Sequence, residues 1–271
     1  MSGFSPVQEA RARREARAAQ NKTAGGVATP APLQMVKAET PTCPDFLAEV
    51  LPDQGRYCLF LLPERRHVWM DSVDGLAGLV DKHKDRQGVY FATASFKDQT
   101  GRVQGNVLAL KAFRLDLDAG EHKHTRDPEG TYATQEDARQ DLQRFSTESG
   151  LTPSYVISSG EGLHVYYVLE KSCPPSDWHP VAEAFKRVCT ARGLRADPSV
   201  TADSARVLRP VGTLHKNGKS VEVLEATGKV YTLAEFAGRL GTPDEDGDPL
   251  GRPVRAYDLS VNADVLTQHD N

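Results

Sequence analysis

The sequence lacks any apolar run long enough to span a bilayer, which needs about 20 consecutive residues, so no membrane partner is expected. It also lacks the apolar block of a secretory signal at its amino terminus. Cysteine is scarce. Cys43, Cys58, Cys173 and Cys189 stand far apart with no Cys-x-x-Cys pair, which excludes a zinc ribbon and a disulfide framework. The expected home is therefore a reducing cytoplasm. There is no excess of basic charge either, with 33 Lys and Arg against 37 Asp and Glu for a net charge of −4. A generally basic protein is excluded, but not an enzyme whose nucleic-acid contacts lie in one local groove. No Gly-x-x-x-x-Gly-Lys-Ser/Thr loop occurs, so the chain carries no P-loop helicase part.

The 271 residues suffice to bury a sizeable core, and a composition of 39% hydrophobic and 26% charged residues is ordinary for a globular protein. Residues 5–21 hold good helix formers with Arg11, Arg13, Arg14 and Arg17, but almost no apolar stripe. They read as a flexible tail, with a basic arm touching phosphates as the alternative. Gly25, Gly26, Pro30, Pro32, Pro41 and Pro44 mark a linker. From Gly241 the chain turns to Pro, Gly and acids, which reads as a disordered tail. The expected organisation is an arm and linker over 1–44, a folded domain over 45–240 and an acidic tail over 241–271.

Inside the domain, strands alternate with helices. Helices are predicted at Phe46–Leu51, Val73–His83, from Thr134 through Phe145, at Asp177–Arg192 and from Thr232 to Leu240. Thr134 with Asp137 resembles a capping box with Asp in place of Glu. Strands are predicted at Tyr57–Leu62, Val68–Met70, Gly88–Ala94, the run ending at Asp118, Tyr155–Ser158 and Leu163–Leu169. Val221–Leu224 and Lys229–Tyr231 are expected to pair as a hairpin about Thr227-Gly228. The fold class is α/β.

Three stretches carry chemistry. The first is Arg114-Leu115-Asp116-Leu117-Asp118-Ala119-Gly120, closing the strand that begins at Val107. Residues two apart on a strand share a face, so Asp116 and Asp118 point together while Leu115 and Leu117 enter the core. Such a pair either faces water or binds a divalent cation with hard oxygen ligands. The second is Ser158-Ser159-Gly160-Glu161-Gly162-Leu163-His164-Val165-Tyr166-Tyr167. Its glycines allow a tight turn that a phosphate can approach closely, and His164 shares a strand face with Tyr166. The third runs from Ala196 to Lys219, where Asp203 precedes Arg206, Arg209, Lys216 and Lys219. One carboxylate there is expected to complete a metal site while the cations hold phosphates, with a solvated charged loop as the alternative, more so for Lys219 than for the arginines flanking Val207-Leu208. Asp197 is a rival for that carboxylate, with Asp203 preferred because it lies nearer the two arginines.

In this order and spacing, the three stretches resemble the archaeo-eukaryotic primase superfamily, in particular the phage and plasmid primase-polymerases. The family's Asp-x-Asp motif is matched by Asp116 and Asp118, and its histidine motif by Ser159, Gly160, Gly162, His164 and Tyr166. Its third motif and the run beyond it are matched by Asp203, Ala205, Arg206, Arg209, Gly212 and Thr213. Pro210-Val211 and His215 depart from the family's usual residues. The resemblance spans about residues 88–220. It implies an RNA-recognition-motif-like sheet carrying the acids, packed against a smaller α/β element that supplies the histidine motif. It further implies a DNA primase or primase-polymerase acting on NTP or dNTP over a single-stranded DNA template, in the host cytoplasm if the chain is phage-encoded, with a replicative helicase as a separate partner or on a longer chain. Asp116, Asp118 and Asp203 would hold two Mg²⁺ or Mn²⁺ ions. His164, Ser159, Gly160 and Gly162 would bind the triphosphate. Arg206, Arg209 and Lys216 would neutralise phosphates, and Tyr166 or Tyr167 would stack a template base.

Two other classes compete. One is a replication-initiation module that binds DNA without turnover. The other is a different Asp-x-Asp enzyme, a sugar-nucleotide transferase or a metal nuclease. His122 and His124 read as a solvated loop rather than extra ligands, and Trp69 and Trp178 as packing anchors.

Overall fold

The computed structural model describes residues 40–241 together with Glu9 and Ala12. The basic arm, most of the linker and nearly all of the acidic tail lie outside the described residues. Two antiparallel-based sheets organise the chain. β1 (Tyr57–Leu61), β2 (Arg66–Met70), β3 (Val89–Ala92) and β8 (Val207–Leu208) form a four-stranded sheet in the order β2-β1-β3-β8. A six-stranded sheet runs β4 (Ser95–Phe96), β5 (Val107–Leu117), β7 (Leu163–Cys173), β6 (Tyr155–Ser158), β9 (Glu222–Ala226). Its sixth strand, β10 (Val230–Tyr231), pairs with β7 in parallel.

The long central pair β5–β7 is covered on both faces; one is apolar, and the other carries Arg114, Asp116 and His164 beside its apolar residues. Phe113, Leu115, Leu117, Val165, Tyr167 and Leu169 pack against a helical layer. That layer comprises α4 (Gln135–Ser149), α5 (Pro175–Ala191) and α7 (Leu233–Arg239). Phe113 stacks between Trp178 of α5 (5.5 Å) and Phe236 of α7 (4.3 Å). Each such ring contributes about 1.5–3 kcal/mol by burial. α4 opens with the expected capping box: Thr134 Oγ1 accepts from the Asp137 amide and Asp137 accepts from the Thr134 amide.

On the other face Ala112, Tyr155, Ile157, Tyr166 and Val168 meet the four-stranded sheet through a second cluster. α1 (Cys43–Val50) is the wedge between the sheets, followed along the chain by α2 (Val73–His83). Phe46 of α1 touches Phe91 of β3 at 5.8 Å, Tyr155 of β6 at 5.4 Å and Tyr166 of β7 at 5.1 Å. The architecture is thus the expected α/β class, with two short helices, α3 (Glu121–Arg126) and α6 (Pro198–Thr201), near the end of β5.

The expected hairpin about Thr227-Gly228 does not form. β9 pairs with β6 and β10 with β7. The Thr227 amide donates to the Ser154 carbonyl and its hydroxyl to the Pro153 carbonyl, anchoring the turn at the start of β6. The two strands therefore diverge to separate partners. All four cysteines are free thiols, and among the described residues no helix is long and apolar enough to cross a membrane.

Candidate active site

The histidine motif lies on the acids' own sheet, not on the smaller element. β5 and β7 are hydrogen-bonded neighbours, and their register sets Asp116 directly opposite His164. Asp116 Oδ1 is 3.9 Å from His164 Nε2, too long for a hydrogen bond. Among the described residues His164 Nδ1 has no hydrogen-bond partner, though the side chain is only 2% exposed. That nitrogen keeps the capacity to bond a group from outside the chain.

Charge around the pair is divided by sign. Burial pushes the Asp116 carboxyl up to about 7, and the neighbouring Asp118 and Asp197 push the same way. Burial pulls the His164 imidazole down to about 3, aided by Arg209, Lys123, His215 and Arg206. His164 is therefore neutral at pH 7, a hydrogen-bonding group rather than a cation, ringed by cations suited to an anionic ligand.

The glycine turn serves close packing. Gly162 lies against the acid strand, where a Cβ would stand 2.2 Å from the Leu117 carbonyl oxygen and 3.2 Å from Asp118 Cα. Gly160 (φ +105°) lies under His215, whose Cβ a side chain would meet at 2.4 Å. The Ser159 amide donates to the Gly162 carbonyl and the Gly160 amide to Ser158 Oγ. Those two N–H groups are thus engaged within the turn. Gln135, at the start of α4, clamps it by donating to Ser158 Oγ and the Gly162 carbonyl, both at 2.9 Å. The loop carrying His215, Lys216 and Asn217 covers the turn, with Asn217 donating to Glu161 at 3.0 Å. Lys216 is exposed. A cleft of about 660 Å³ opens beside the turn, but Glu121, Glu161 and Glu222 line it along with Lys219. A polyphosphate is better matched by the cations around His164.

The third-acid candidates separate. The Asp197 amide donates to the Asp116 carbonyl at 2.9 Å, and its carboxylate lies 3.7 Å from Arg206. Asp203 Oδ1 instead accepts from the Ala205 amide at 3.0 Å and Gln104 at 3.4 Å. Its charge acts on the buried Arg114, whose guanidinium also donates to the Asp203 carbonyl. Asp118 forms an ion pair with Lys123 of α3. His124, beside it, bonds the Thr131 carbonyl at 3.1 Å through Nδ1.

Among the described residues no three His, Cys, Asp or Glu side chains are drawn close enough to form a ready metal cage. The donor chemistry does fit a hard divalent ion. Asp116 ionises against burial and two carboxylate neighbours, a cost that a bound cation relieves.

Tyr166 and Tyr167 are not available to stack a base. They are 1% and 0% exposed, Tyr166 packed on Phe46 at 5.1 Å and Tyr167 on Phe185 at 5.3 Å. Lys123 and Gln135 were not singled out from the sequence. The only local signal was their position within a few residues of Gly120 and the Thr134 cap.

No family model matches the sequence, and no curated protein matches it. Three solved structures are similar in fold. The archaeo-eukaryotic primase domain of the cyanophage S-2L primase-polymerase is 17% identical, covering 69% of this chain and 89% of that one at a TM-score of 0.44. The catalytic domain of primase RepB′, solved in complex with initiator DNA, is 15% identical over 69% of this chain and 85% of that one, at 0.43. A second RepB′ structure is 14% identical over 68% of this chain and 56% of that one, at 0.45.

Proposed function

We propose that this chain is a primase-polymerase that makes primers on single-stranded DNA by nucleotidyl transfer during phage or plasmid replication, with 45–240 as its catalytic domain. The observation that carries the reading is the register that sets Asp116 against a buried, neutral His164 inside a ring of Arg206, Arg209 and Lys123. Carboxylates on one side and cations on the other suit a triphosphate whose reacting end must meet metal-activated chemistry.

Asp116, Asp118 and Asp197 would hold the divalent ions, Mg²⁺ or Mn²⁺, with Asp197 proposed in place of Asp203 because its backbone is bonded to Asp116. When bound, the ions supply a lowered pKa for the attacking 3′-hydroxyl and neutralisation of the pyrophosphate leaving group. His164 donates a hydrogen bond to a phosphate oxygen, and the cations around it neutralise and orient the polyphosphate. Gly160 and Gly162 bring the turn, and Ser159 with it, up to the acid strand. Lys216, on the exposed loop, meets phosphates only at the rim.

Template-dependent primer synthesis with ATP, dNTPs and either ion tests the reading. Wild type should extend and Asp116→Ala and Asp118→Ala should not. Full activity in either variant rejects it. Tight DNA binding with no product under either metal would point to an initiation module without turnover. Template degradation or selective sugar-nucleotide binding would point to another Asp-x-Asp enzyme.

A further inference from the structure

The four-stranded sheet has one face in the core and one that carries a row of rings. Leu59, Phe91 and Leu208 point inward, at 0%, 0% and 3% exposure. On the opposite face Cys58 and Ala92 are buried in the other core cluster, while Phe60, His67 and Tyr90 keep solvent exposure. Across three adjacent strands His67 of β2 is paired with Phe60 of β1, and Phe60 with Tyr90 of β3. The Phe60 ring lies 5.0 Å from His67 and 6.4 Å from Tyr90, and His67 lies 6.4 Å from Trp69. His67 is exposed, and Phe60, Trp69 and Tyr90 are half-buried. Trp69 stands at the margin, edge-on to Phe96 at 5.3 Å.

Two guanidinium groups sit over this row. Arg102 is 5.7 Å from the Phe60 ring, and Arg209 is 5.0 Å from the Tyr90 ring and donates to its hydroxyl at 3.0 Å. Arg209 is also the cation that acts most strongly on His164. Arg209 is thus shared between the ring face and the cation side of the candidate active site. Half-exposed rings in a row with cations beside them match unpaired bases on a phosphate backbone. Three strands span about 10 Å, room for two or three bases at ~3.4 Å each.

We infer that this face is the track for the unpaired DNA template, with bases stacked on Phe60 and Tyr90, His67 at the rim, and phosphates held by Arg102 and Arg209. The inference rests on the primase reading for calling the strand a template, but strand binding is measured without catalysis.

The test is fluorescence anisotropy with labelled (dT)12 and with an abasic strand of equal length, without nucleotide or metal. Phe60→Leu and Tyr90→Leu keep apolar bulk but remove the ring. Each is expected to bind (dT)12 about tenfold more weakly and the abasic strand as wild type does. Tyr90→Phe, which keeps the ring, should bind (dT)12 like wild type. In unmodified protein, (dT)12 should quench tryptophan emission through Trp69 and the abasic strand should not, a readout that needs no substitution. Unchanged (dT)12 binding in the leucine variants, equal losses on both strands, or absence of quenching each overturns the track. If those results accompany primer synthesis by wild type, only the track falls. If the expected binding appears but no metal supports synthesis, the primase reading falls and the track stands.

Discussion

Asp116 and His164 face each other across adjacent strands, 3.9 Å apart, yet they are not an ion pair. The carboxyl is held up to about 7 and the imidazole down to about 3 by the same burial. Their preferred states at neutral pH leave the ring uncharged and the carboxylate costly. An uncharged ring can hydrogen-bond an anion, and the carboxylate's cost is one that a bound cation would relieve.

Stability should depend on pH through these two groups with opposite sign. The folded carboxyl titrates above its ordinary 3.8, so the stability it contributes while protonated is lost as pH rises through about 7. The folded imidazole titrates below its ordinary 6.5, so stability is lost as pH falls from 6.5 toward 3. Urea unfolding in EDTA should show Asp116→Asn gaining on wild type as pH rises from 4 to 8. His164→Gln should gain as pH falls below 6.5. Parallel curves for either variant would remove the corresponding shift.

A divalent ion should stabilise the chain by offsetting the cost at Asp116. Mg²⁺ or Mn²⁺ at about 100 times its dissociation constant is expected to add about 2.7 kcal/mol, read as a rise in melting temperature at pH 7.5 that EDTA reverses. Asp116→Asn should show little of this rise. An equal rise in that variant would place the ion elsewhere.

The two third-acid candidates make opposed predictions. Asp197→Asn should lower nucleotide incorporation at least a hundredfold. Asp203→Asn should cost less than tenfold, because asparagine can still accept the Ala205 amide that closes the turn. The reverse order would restore Asp203 to the metal site. Incorporation measured at saturating template and metal decides between them.

Gly162 offers a purely steric test. A methyl group there meets the Leu117 carbonyl at 2.2 Å, and that backbone cannot yield without moving Asp118. Gly162→Ala should cost about 3 kcal/mol or more of folding stability. Gly105→Ala, where a Cβ meets nothing within 4 Å, should be near neutral. Comparable unfolding midpoints would show that the turn can open.

Much of the fold was legible because local signals and burial agreed. Val73–His83 is a helix with the predicted bounds, and Thr134 with Asp137 makes the predicted reciprocal cap. What sequence did not disclose was pairing. Val221–Tyr231 reads as a hairpin because its turn residues are right, but Thr227 is tied to Pro153 and Ser154, which no local pattern records. From sequence Asp197 ranks below Asp203, because the backbone hydrogen bond that brings its segment to Asp116 joins distant stretches of chain. Tyr166 and Tyr167 carry polar tips that invite a surface role, yet both faces of β7 are covered. The ring row escaped notice because Phe60, His67 and Tyr90 lie on three different strands and become neighbours only when the sheet forms.

The segment from Asp197 to Arg209 joins both sheets. Its first amide is bonded to β5, and its Leu208 is paired with Phe91 of β3. A covalent tether thus connects the guanidinium over Tyr90 with the carboxylate beside Asp116. One short stretch of chain therefore positions both groups, and a change in its length would displace them together.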